Sequence, residues 1–404
     1  MVCATDDAEV GRIFRAESGR SVAALIRAFG DIDVAEDAVQ EAFVVALAKW
    51  AADGVPPNPG GWITTTARNR AVDRLRRESR GRELLGEVAV LAPDPGGAWR
   101  EEVGPVPDDR LRLIFTCCHP ALSAEARLAL TLRLVGGLST RDVARSLLVA
   151  EQTMAVRLVR AKRKIKAARI PYRVPADHEL PDRLHSVLAV VYLVYTAGLT
   201  GPADAGLCTE AIRLARILRT LMPDEPEVAG LLALLLLSES RRAARTGPDG
   251  RVVLLAEQDR GQWDRALIIE GQAIVRWCLH RDRPGVYQLQ AAINAVHTDA
   301  PSAELTDWSQ ILALYDQLFA LAPTPVVALN RAVAVGEVHG PAAALALVDT
   351  LDLDGYHPFH ATRADLLRRL GRADDAAAAY GRAAALAPTD AERDFLIRGG
   401  RAAR

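Results

Sequence analysis

Aromatic residues make up only 5% of this 404-residue chain, and its cysteines are few and scattered. The five cysteines are an odd number with no CxxC pair, which argues against a disulfide framework and favours a reducing compartment. The longest apolar run, residues 230–237, is far too short to span a bilayer. The first residues are polar and acidic, unlike a signal peptide. We therefore expect a cytoplasmic protein with no membrane partner.

Neither sign of charge dominates, because the chain has 50 Lys and Arg residues and 51 Asp and Glu residues. The whole molecule is therefore not a polycation, and any charged surface must be sought segment by segment. Half of the residues are hydrophobic. Ala, Leu and Arg dominate the composition, and runs of β-branched residues are few. This composition predicts an all-α fold, and the length suffices for two or three domains.

Two segments rich in turn-forming residues divide the chain. Residues 81–109 are rich in Gly, Pro and acidic residues, as is typical of a flexible linker, and residues 170–182 carry three prolines. We predict five parts: a helical block at 8–80, a linker at 81–108, a second block at 109–170, a linker at 171–182 and a C-terminal extension at 183–404.

The first block contains two predicted helices. Asp33 with Glu36 is an N-terminal capping pattern, followed by a helix that runs to about Trp50. Its buried face repeats every four residues: Val34, Ala38, Ala42, Ala46 and Trp50. An acidic outer face is expected on the opposite side, formed by Glu36, Asp37, Gln40 and Glu41. A second helix over about 61–80 presents a basic face with Arg70, Arg74 and Arg77.

The second block has the spacing of a helix–turn–helix. Ser123 is positioned to cap one helix, which stops at the two glycines 136–137, and Ser139 with Asp142 caps a short helix that ends near Leu147. A tight turn at 148–150 precedes a longer helix that runs to about residue 168. This spacing is the strongest local signal in the chain.

The last helix of this motif is apolar on one side and basic on another. Met154, Leu158, Ala161 and Ile165 form the packing stripe, and no acidic residue occurs between positions 152 and 176. The basic side chains can neutralise phosphates, and polar groups near the helix N-terminus can reach base edges in a major groove. A solvated basic surface is the alternative, but the capped helix–turn–helix favours DNA binding.

These segments resemble the extracytoplasmic-function (ECF) type of the sigma-70 family of RNA polymerase sigma factors. Residues 33–50 look like its core-polymerase-binding helix, residues 58–78 like its −10 element helix, and residues 138–165 like its −35 helix–turn–helix. The resemblance implies a transcription-initiation subunit whose partners are core RNA polymerase, through its β and β′ subunits, and promoter DNA.

The resemblance also implies roles for individual residues. Those implied to bind core polymerase are Asp37, Gln40 and Glu41. Those implied to lie along −10 DNA are Asn69, Arg70, Asp73, Arg74 and Arg77, with the loop 53–60 holding a flipped base. Those implied to lie at the −35 groove are Gln152, Thr153, Arg157, Arg160, Arg163 and Lys164. This chain has Leu148 where the family often has Gly, and we expect Trp62 to belong to the core rather than to stack on a base.

The C-terminal half of the chain lies beyond the segments that resemble a sigma factor of that type. Residues 357–390 resemble a tetratricopeptide (TPR) repeat, and Pro223, Pro323 and Pro388 close similar helices at intervals near multiples of 33–34 residues. We expect a TPR-like helical solenoid that regulates the chain's own activity and binds a protein or peptide regulator. A merely stabilising role is the alternative.

Catalytic and metal-binding patterns are missing from the sequence. Cys117, Cys118 and His119 lack ligand spacing, and a buried thiol pair is the favoured interpretation. With no phosphate loop, GxSxG or HExxH pattern, we expect neither an enzyme nor a cofactor. The competing functional hypothesis is a helix–turn–helix regulator with a TPR-like sensor that never binds polymerase. A TPR-type scaffold with incidental basic helices is a third.

Overall fold

The computed structural model describes residues 7–80, 107–147, 149–176, 178–200, 206–247 and 251–402. Within these ranges the fold is all-α, as predicted, and the only β pairing is an isolated bridge between Thr246 and Val252. The chain divides into two compact units, Met1–Leu221 and Met222–Arg404. No described helix is both long enough and apolar enough to cross a membrane.

The first unit contains both blocks predicted from the sequence. Its helices are α1 (Asp7–Phe29), α2 (Ile32–Asp53), α3 (Pro59–Arg80), α4 (Pro107–Cys117), α5 (Ala124–Leu130), α6 (Thr140–Ser146), α7 (Glu151–Ala167), α8 (Leu180–Thr200) and α9 (Leu207–Leu221). A π-helical turn, Thr131–Val135, follows α5 directly. The helices α1, α2 and α3 pack on one another, and α6 packs on α7.

Side-chain caps fix where several of these helices begin. Ser123 accepts a hydrogen bond from the backbone N–H of Ala126, and Ser139 accepts one from Asp142, which confirms both predicted caps. The predicted cap of α2 was wrong by two residues. Asp31, rather than Asp33, accepts from the N–H groups of Asp33 and Val34, because Asp31 alone has the extended backbone of a cap position.

The first unit ends later than the boundary predicted at residue 183. Helices α8 and α9 pack against α4 and α5, and their own apolar faces are buried there. Arg183 donates to the carbonyl of Phe115 at 2.8 Å, and Arg213 donates to the carbonyls of Val135 and Gly136 at 3.4 and 3.2 Å. The first two helices of the predicted extension therefore belong structurally with the helix–turn–helix block.

The second unit is a succession of helices and short 3-10 turns. Its helices are α10 (Pro226–Glu239), α11 (Arg265–Leu279), α12 (Val286–Asp299), α13 (Trp308–Leu321), α14 (Pro325–Val338), α15 (Pro341–Val348), α16 (His357–Arg369), α17 (Ala373–Leu386) and α18 (Asp390–Ala402). Most contacts join helices that follow one another in sequence, such as α16 with α17 and α17 with α18.

Prolines follow three helix ends as the sequence indicated, one in the first unit and two in the second. The helices α9, α13 and α17 each end two residues before one of the three predicted terminators, Pro223, Pro323 and Pro388. Small residues such as Ala376 and Ala383 are fully buried between neighbouring helices. The helical succession agrees with the expected architecture, whereas its TPR-like character stays a prediction.

Two predicted features lie outside the described residues. They are residues 81–106 of the linker predicted at 81–108, whose last two residues already belong to α4, and the turn residue Leu148.

Candidate nucleic-acid interface

The helix–turn–helix is formed by α6 and α7. The hydroxyl of Ser139 accepts the N–H of Asp142 at 3.0 Å and donates to its carboxylate at 2.7 Å, closing the first turn of α6. The N–H of Val149 bonds to the carbonyl of Ala144 at 3.0 Å, and Ala150 has the extended backbone from which α7 starts. The turn between the two helices is thus fixed by local hydrogen bonds.

The inner face of α7 is the predicted apolar stripe. Met154, Leu158, Ala161 and Ile165 are all buried, and Met154 is fully inaccessible. Because these four residues recur every three or four positions, their burial determines which side of the helix faces solvent. The prediction of this stripe is confirmed.

The outer face of α7 carries the residues predicted for −35 DNA. Exposed there are Gln152, Thr153, Arg160, Arg163 and Lys164, while Arg157 is half-buried. Within the described part of the chain, none of the four basic side chains among these six residues forms a salt bridge. An open groove of about 720 Å³ lies between α7 and the start of α5, and five of these six residues line it together with Ser123. The cationic face is therefore accessible to a large polyanion.

The second basic surface lies on α3. Asn69, Arg70, Asp73 and Arg77 are exposed, and the guanidinium of Arg77 donates back to the carbonyl of Asp73 at 3.2 Å. Arg74 forms a 2.6 Å ion pair with Asp37 of α2. The structure thus joins one residue predicted for −10 DNA to one predicted for polymerase.

The acidic face of α2 is only partly as predicted. Asp37 and Glu41 are exposed and Gln40 is half-buried, but Glu36 does not lie on the outer face. It is 9% exposed and pairs with Arg133 at 2.7 Å and with Lys162 at 3.1 Å. The prediction for Glu36 was wrong because its side of α2 is covered by the second block rather than by solvent.

Sequence reasoning missed the ion-pair cluster to which Glu36 belongs. Three carboxylates near the start of α2 meet three cations of the second block, and we name this set the acidic clasp: Asp31, Asp33, Glu36, Arg133, Lys162 and Lys166. Lys162 lies 2.6 Å from Asp33, and Lys166 lies 2.8 Å from Asp31. The spacing of Lys162 and Lys166 places them on one side of α7, but no sequence pattern identified their partners.

The pKa values in the clasp show which charge state the contacts favour. Burial alone lowers the pKa of Lys162, but the carboxylates of Glu36 and Asp33 outweigh it and raise the pKa above its ordinary value. Burial raises the pKa of Asp31, but hydrogen bonds from Lys166 and two backbone N–H groups outweigh it, so the pKa is lowered. Both shifts favour the charged forms of Lys162 and Asp31, as their ion pairs require.

The loop between α2 and α3 begins at Gly54, whose φ of 80° favours glycine. Asn58 accepts the N–H of Gly61 at 2.9 Å as α3 starts. Trp62 is half-buried, with its ring edge-on to that of Trp50 at 5.2 Å. This packing agrees with the expected placement of Trp62 in the core.

The cysteine pair before the helix–turn–helix is fully buried, as expected. Burial raises the pKa of Cys118 to about 11, and its thiol lies 3.4 Å from the hydroxyl of Thr131. Burial also raises the pKa of Cys117 well above its ordinary value. Over the described ranges, no group of three or more His, Cys, Asp or Glu residues is arranged to hold a metal ion.

Comparison with known proteins matches three segments to described families. Residues 14–81 match Sigma-70 region 2, residues 112–165 match Sigma-70 region 4, and residues 183–279 match a family of unknown function, DUF6596. The first two segments contain the two basic helices and the acidic face of α2. The third begins in α8 and ends with α11.

Relatives support the same assignment. An uncharacterized protein of Rhizobium meliloti is 44% identical over 93% of this chain and 92% of its own length. The probable ECF RNA polymerase sigma factor SigI of Mycobacterium tuberculosis is 30% identical over 48% of this chain and 70% of its own. SigL, an ECF RNA polymerase sigma factor of the same species, is 32% identical over 35% and 77%. No solved structure matches. The chain belongs to the ECF-type RNA polymerase sigma factors of the sigma-70 family.

Proposed function

We propose that this sigma factor uses three surfaces during initiation. The exposed acidic residues of α2 bind core polymerase, α7 reads the −35 element, and α3 with the loop 53–60 melts and holds the −10 element. The chain itself is a non-catalytic subunit. The observation that supports this division most directly is the outer face of α7, where exposed polar and basic residues line an open groove and form no salt bridge over the described residues.

The −35 role is tested by binding to duplexes with and without the element. Polar groups at the start of α7 can reach base edges, and Arg157 sits deeper in the groove than Arg160. If Arg157 reads a base, Arg157→Ala weakens specific binding by ~1–3 kcal/mol. The control Arg265→Ala removes an exposed arginine of the second unit. An equal loss on every sequence, with a salt slope reduced by about one, would assign Arg157 to a phosphate instead.

The polymerase role is tested on the exposed carboxylates. Asp37 also pairs with Arg74, so a change there disturbs α3 as well. Glu41→Lys is the cleaner variant, because Glu41 is exposed and forms no salt bridge with described residues. We expect it to weaken co-elution with core polymerase, while Asp352→Lys, an exposed loop carboxylate, leaves it unchanged. Unchanged affinity of Glu41→Lys would remove this residue from the interface.

Transcription itself distinguishes this function from the alternative. We expect the purified chain to co-elute with core polymerase and to direct promoter-selective run-off transcripts from genomic fragments. A helix–turn–helix regulator without polymerase contact needs neither the acidic face of α2 nor a second basic helix, and it would bind DNA without co-eluting.

The proposed regulatory role of the extension is tested by a truncation that keeps the first unit whole. A chain that ends at residue 170 would lose α8 and α9 and expose the α4 and α5 surfaces they cover. Removal of residues 222–404 alone leaves the first unit with all of its helices. We expect this truncation to change transcription from the cognate promoter, in line with self-regulation or regulator binding. Equal activity and equal polymerase affinity would assign the second unit a stabilising role only.

A further inference from the structure

Two arginines of the helix pair α8–α9 lie at the C-terminal ends of helices in the second block. Arg183 of α8 donates to the carbonyl oxygen of Phe115, near the end of α4, at 2.8 Å. Arg213 of α9 donates to the carbonyl oxygens of Val135 and Gly136, where the π-helical turn after α5 ends, at 3.4 and 3.2 Å. The last carbonyl groups of a helix have no partner within it, and their partial negative charge favours a cation. The pair α8–α9 therefore caps two helices that precede the helix–turn–helix.

The guanidinium of Arg213 is oriented by Glu210, one turn earlier in α9. Its Nε lies 2.9 Å from one carboxylate oxygen and its Nη2 lies 2.8 Å from the other, which makes the pair bidentate. The Glu210 side chain is only 10% exposed. Because both carboxylate oxygens are engaged, the plane of the guanidinium is fixed, and the same Nη2 reaches the two backbone carbonyls. A lysine at this position would lack the planar fork on which this arrangement depends.

The approach of α9 to the backbone requires glycine at position 136. A Cβ there would lie 2.9 Å from Oε1 of Glu210 and 2.6 Å from the carbonyl oxygen of Leu132, and both distances are too short for a real Cβ atom. Gly137 follows with a φ of 72°, which also favours glycine. The two glycines at which the sequence predicted a helix to stop thus also leave room for the pair of Glu210 and Arg213.

The capped carbonyls belong to a short segment that leads directly into α6. We name residues 135–138 the joint, and Ser139, the N-cap of α6, follows it immediately. The N–H of Leu138 bonds to the carbonyl of Leu132 at 3.1 Å, so the joint is itself hydrogen-bonded to the preceding turn. Helix α6 in turn packs on α7. A displacement of the joint is therefore passed to α6 and from there to α7.

Reading a base edge needs more accurate placement than binding a phosphate. A hydrogen bond to a base edge forms over donor–acceptor distances of about 2.7–3.2 Å, so a shift of about 1 Å is enough to break it. Attraction to the phosphate backbone is electrostatic and independent of sequence, and long basic side chains tolerate such a shift. A firmly placed joint thus favours specific over non-specific binding by α7.

We propose that Arg213 is a positioning residue for −35 reading, and that the pair α8–α9, where the DUF6596 segment begins, is part of the promoter-reading domain. Arg213 does not line the groove beside α7. It acts through the joint and α6 on the first residues of α7. The proposal rests on the proposed −35 function of α7, whereas the contact of Arg213 with the joint is a property of the chain alone.

Binding of the full-length chain to duplexes with and without the −35 element tests the positioning role. Arg213→Met keeps an unbranched side chain but removes every donor. We expect the ratio of specific to non-specific affinity to fall about tenfold, as for the loss of a charge-assisted hydrogen bond. Non-specific affinity and its salt slope should stay unchanged, because no phosphate contact is removed. Arg213→Lys should lie between Arg213→Met and the parent, and the control Arg265→Met, which removes an exposed arginine of the second unit, should leave the ratio unchanged.

Hydrogen exchange measures the contact without DNA. In Arg213→Met the amide of Leu138 and the first turn of α6 should exchange faster, while α3 keeps the parent rate. Gly136→Ala reaches the same contact from the other side, because its methyl group displaces Glu210. The double variant should therefore lose no more specificity than the weaker of the two single variants. Additive losses would show that the two residues act separately and would contradict the proposal.

The outcomes separate positioning from simple stabilisation. An equal loss of affinity on both duplexes would make Arg213 a stabilising residue only and would overturn its positioning role. So would an unchanged ratio in Arg213→Met chains that circular dichroism shows to be folded. If Arg213→Met does not fold, unchanged ratios in both Arg213→Lys and Gly136→Ala overturn the role instead. A parent chain with no preference for the −35 duplex contradicts the proposed function and the positioning role together, whereas a preference that the variants leave intact overturns the positioning role alone.

Discussion

The two units of this sigma factor are stabilised in different ways. In the first unit, charged side chains join helices far apart in sequence, as Glu36 does with Arg133 and Lys162 over 97 and 126 residues. In the second unit, most contacts join successive helices through small and aliphatic residues. The first arrangement links helices across long stretches of the sequence, whereas the second links each helix mainly to the helices next to it.

This difference predicts how each unit responds to change. Sequence-distant ion pairs are lost together when the blocks separate, and they weaken with salt where they are exposed. When a residue packed between successive helices is replaced, the loss of stability is confined to the helices around it. The predictions below test this contrast, beginning with the largest effect.

The first prediction concerns the centre of the acidic clasp. Glu36→Ala removes a buried carboxylate and leaves Arg133 without its ion-pair partner, while Lys162 keeps only its pair with Asp33. We expect the first unit to lose about 3–5 kcal/mol of unfolding free energy, because an uncompensated buried charge is costly. Denaturant unfolding, localised by hydrogen exchange, measures the loss. The exposed control Glu41→Ala should lie within about 0.5 kcal/mol of the parent. A loss in Glu36→Ala as small as in the control would show that the pairs contribute little.

The second prediction concerns the core of the second unit. Leu367 on α16 is fully buried among Ala364, Ala376 and Tyr380 in one apolar cluster. Leu367→Ala should cost about 2–5 kcal/mol, since it leaves a cavity between α16 and α17. Increased hydrogen exchange should be confined to α14 through α18. Equal acceleration in the first unit would contradict the contrast between the two kinds of packing. The exposed Leu370→Ala is the control.

Local patterns predicted much of the fold, and long-range contacts escaped prediction. The buried stripe of α7 and the caps at Ser123 and Ser139 depend on residues three or four positions apart, and each proline-marked helix end depends on a single nearby residue, so the sequence displays them. Glu36 looked like an outer residue because its partners lie on other helices. Asp31 was missed as a cap because Asp33 satisfies the same spacing rule with Glu36.

The candidate site likewise has a part that the sequence predicted and a part that it could not predict. The basic residues of α7 could be assigned to one face from their periodicity, and the structure places them along one groove. The sequence could not show that Lys162 and Lys166 of the same helix face α2, since the distinction requires a partner surface. Nor could it show that α8 and α9 complete the second block, because their apolar faces look like those of any solenoid helix.

The third prediction concerns the pH response of one histidine in the second unit. Burial, together with the charges of Arg241 and Arg260, lowers the pKa of His297 to about 4. Because the unfolded state protonates near pH 6.5 and the folded state near 4, His297 favours folding above pH 6.5. That contribution is lost as the pH falls toward 4, by at most about 3 kcal/mol.

The matched variant for this effect is His297→Asn, which does not titrate. The difference in unfolding free energy between pH 7 and pH 4.5 should be smaller in this variant than in the parent. Hydrogen exchange should place the change around α12 and α13, where the imidazole lies edge-on to Trp308 at 5.3 Å. Identical pH profiles for parent and variant would mean that His297 protonates without cost in the folded chain.

The smallest predicted effect concerns a local contact within the first unit. Ser139→Ala removes the hydroxyl that caps α6, which should cost about 1 kcal/mol of unfolding free energy. Because the cap joins residues only three apart, its loss should leave the ion pairs of the acidic clasp intact. Under the proposed function, it should nevertheless weaken binding to −35 DNA slightly, since α6 packs against α7. Ser139→Asp, which can still accept the N–H of Asp142, should retain most of the stability despite its charge. If Ser139→Ala instead lost as much unfolding free energy as Glu36→Ala, the second block would transmit local changes to the clasp, and the separation of local and long-range contacts in this unit would fail.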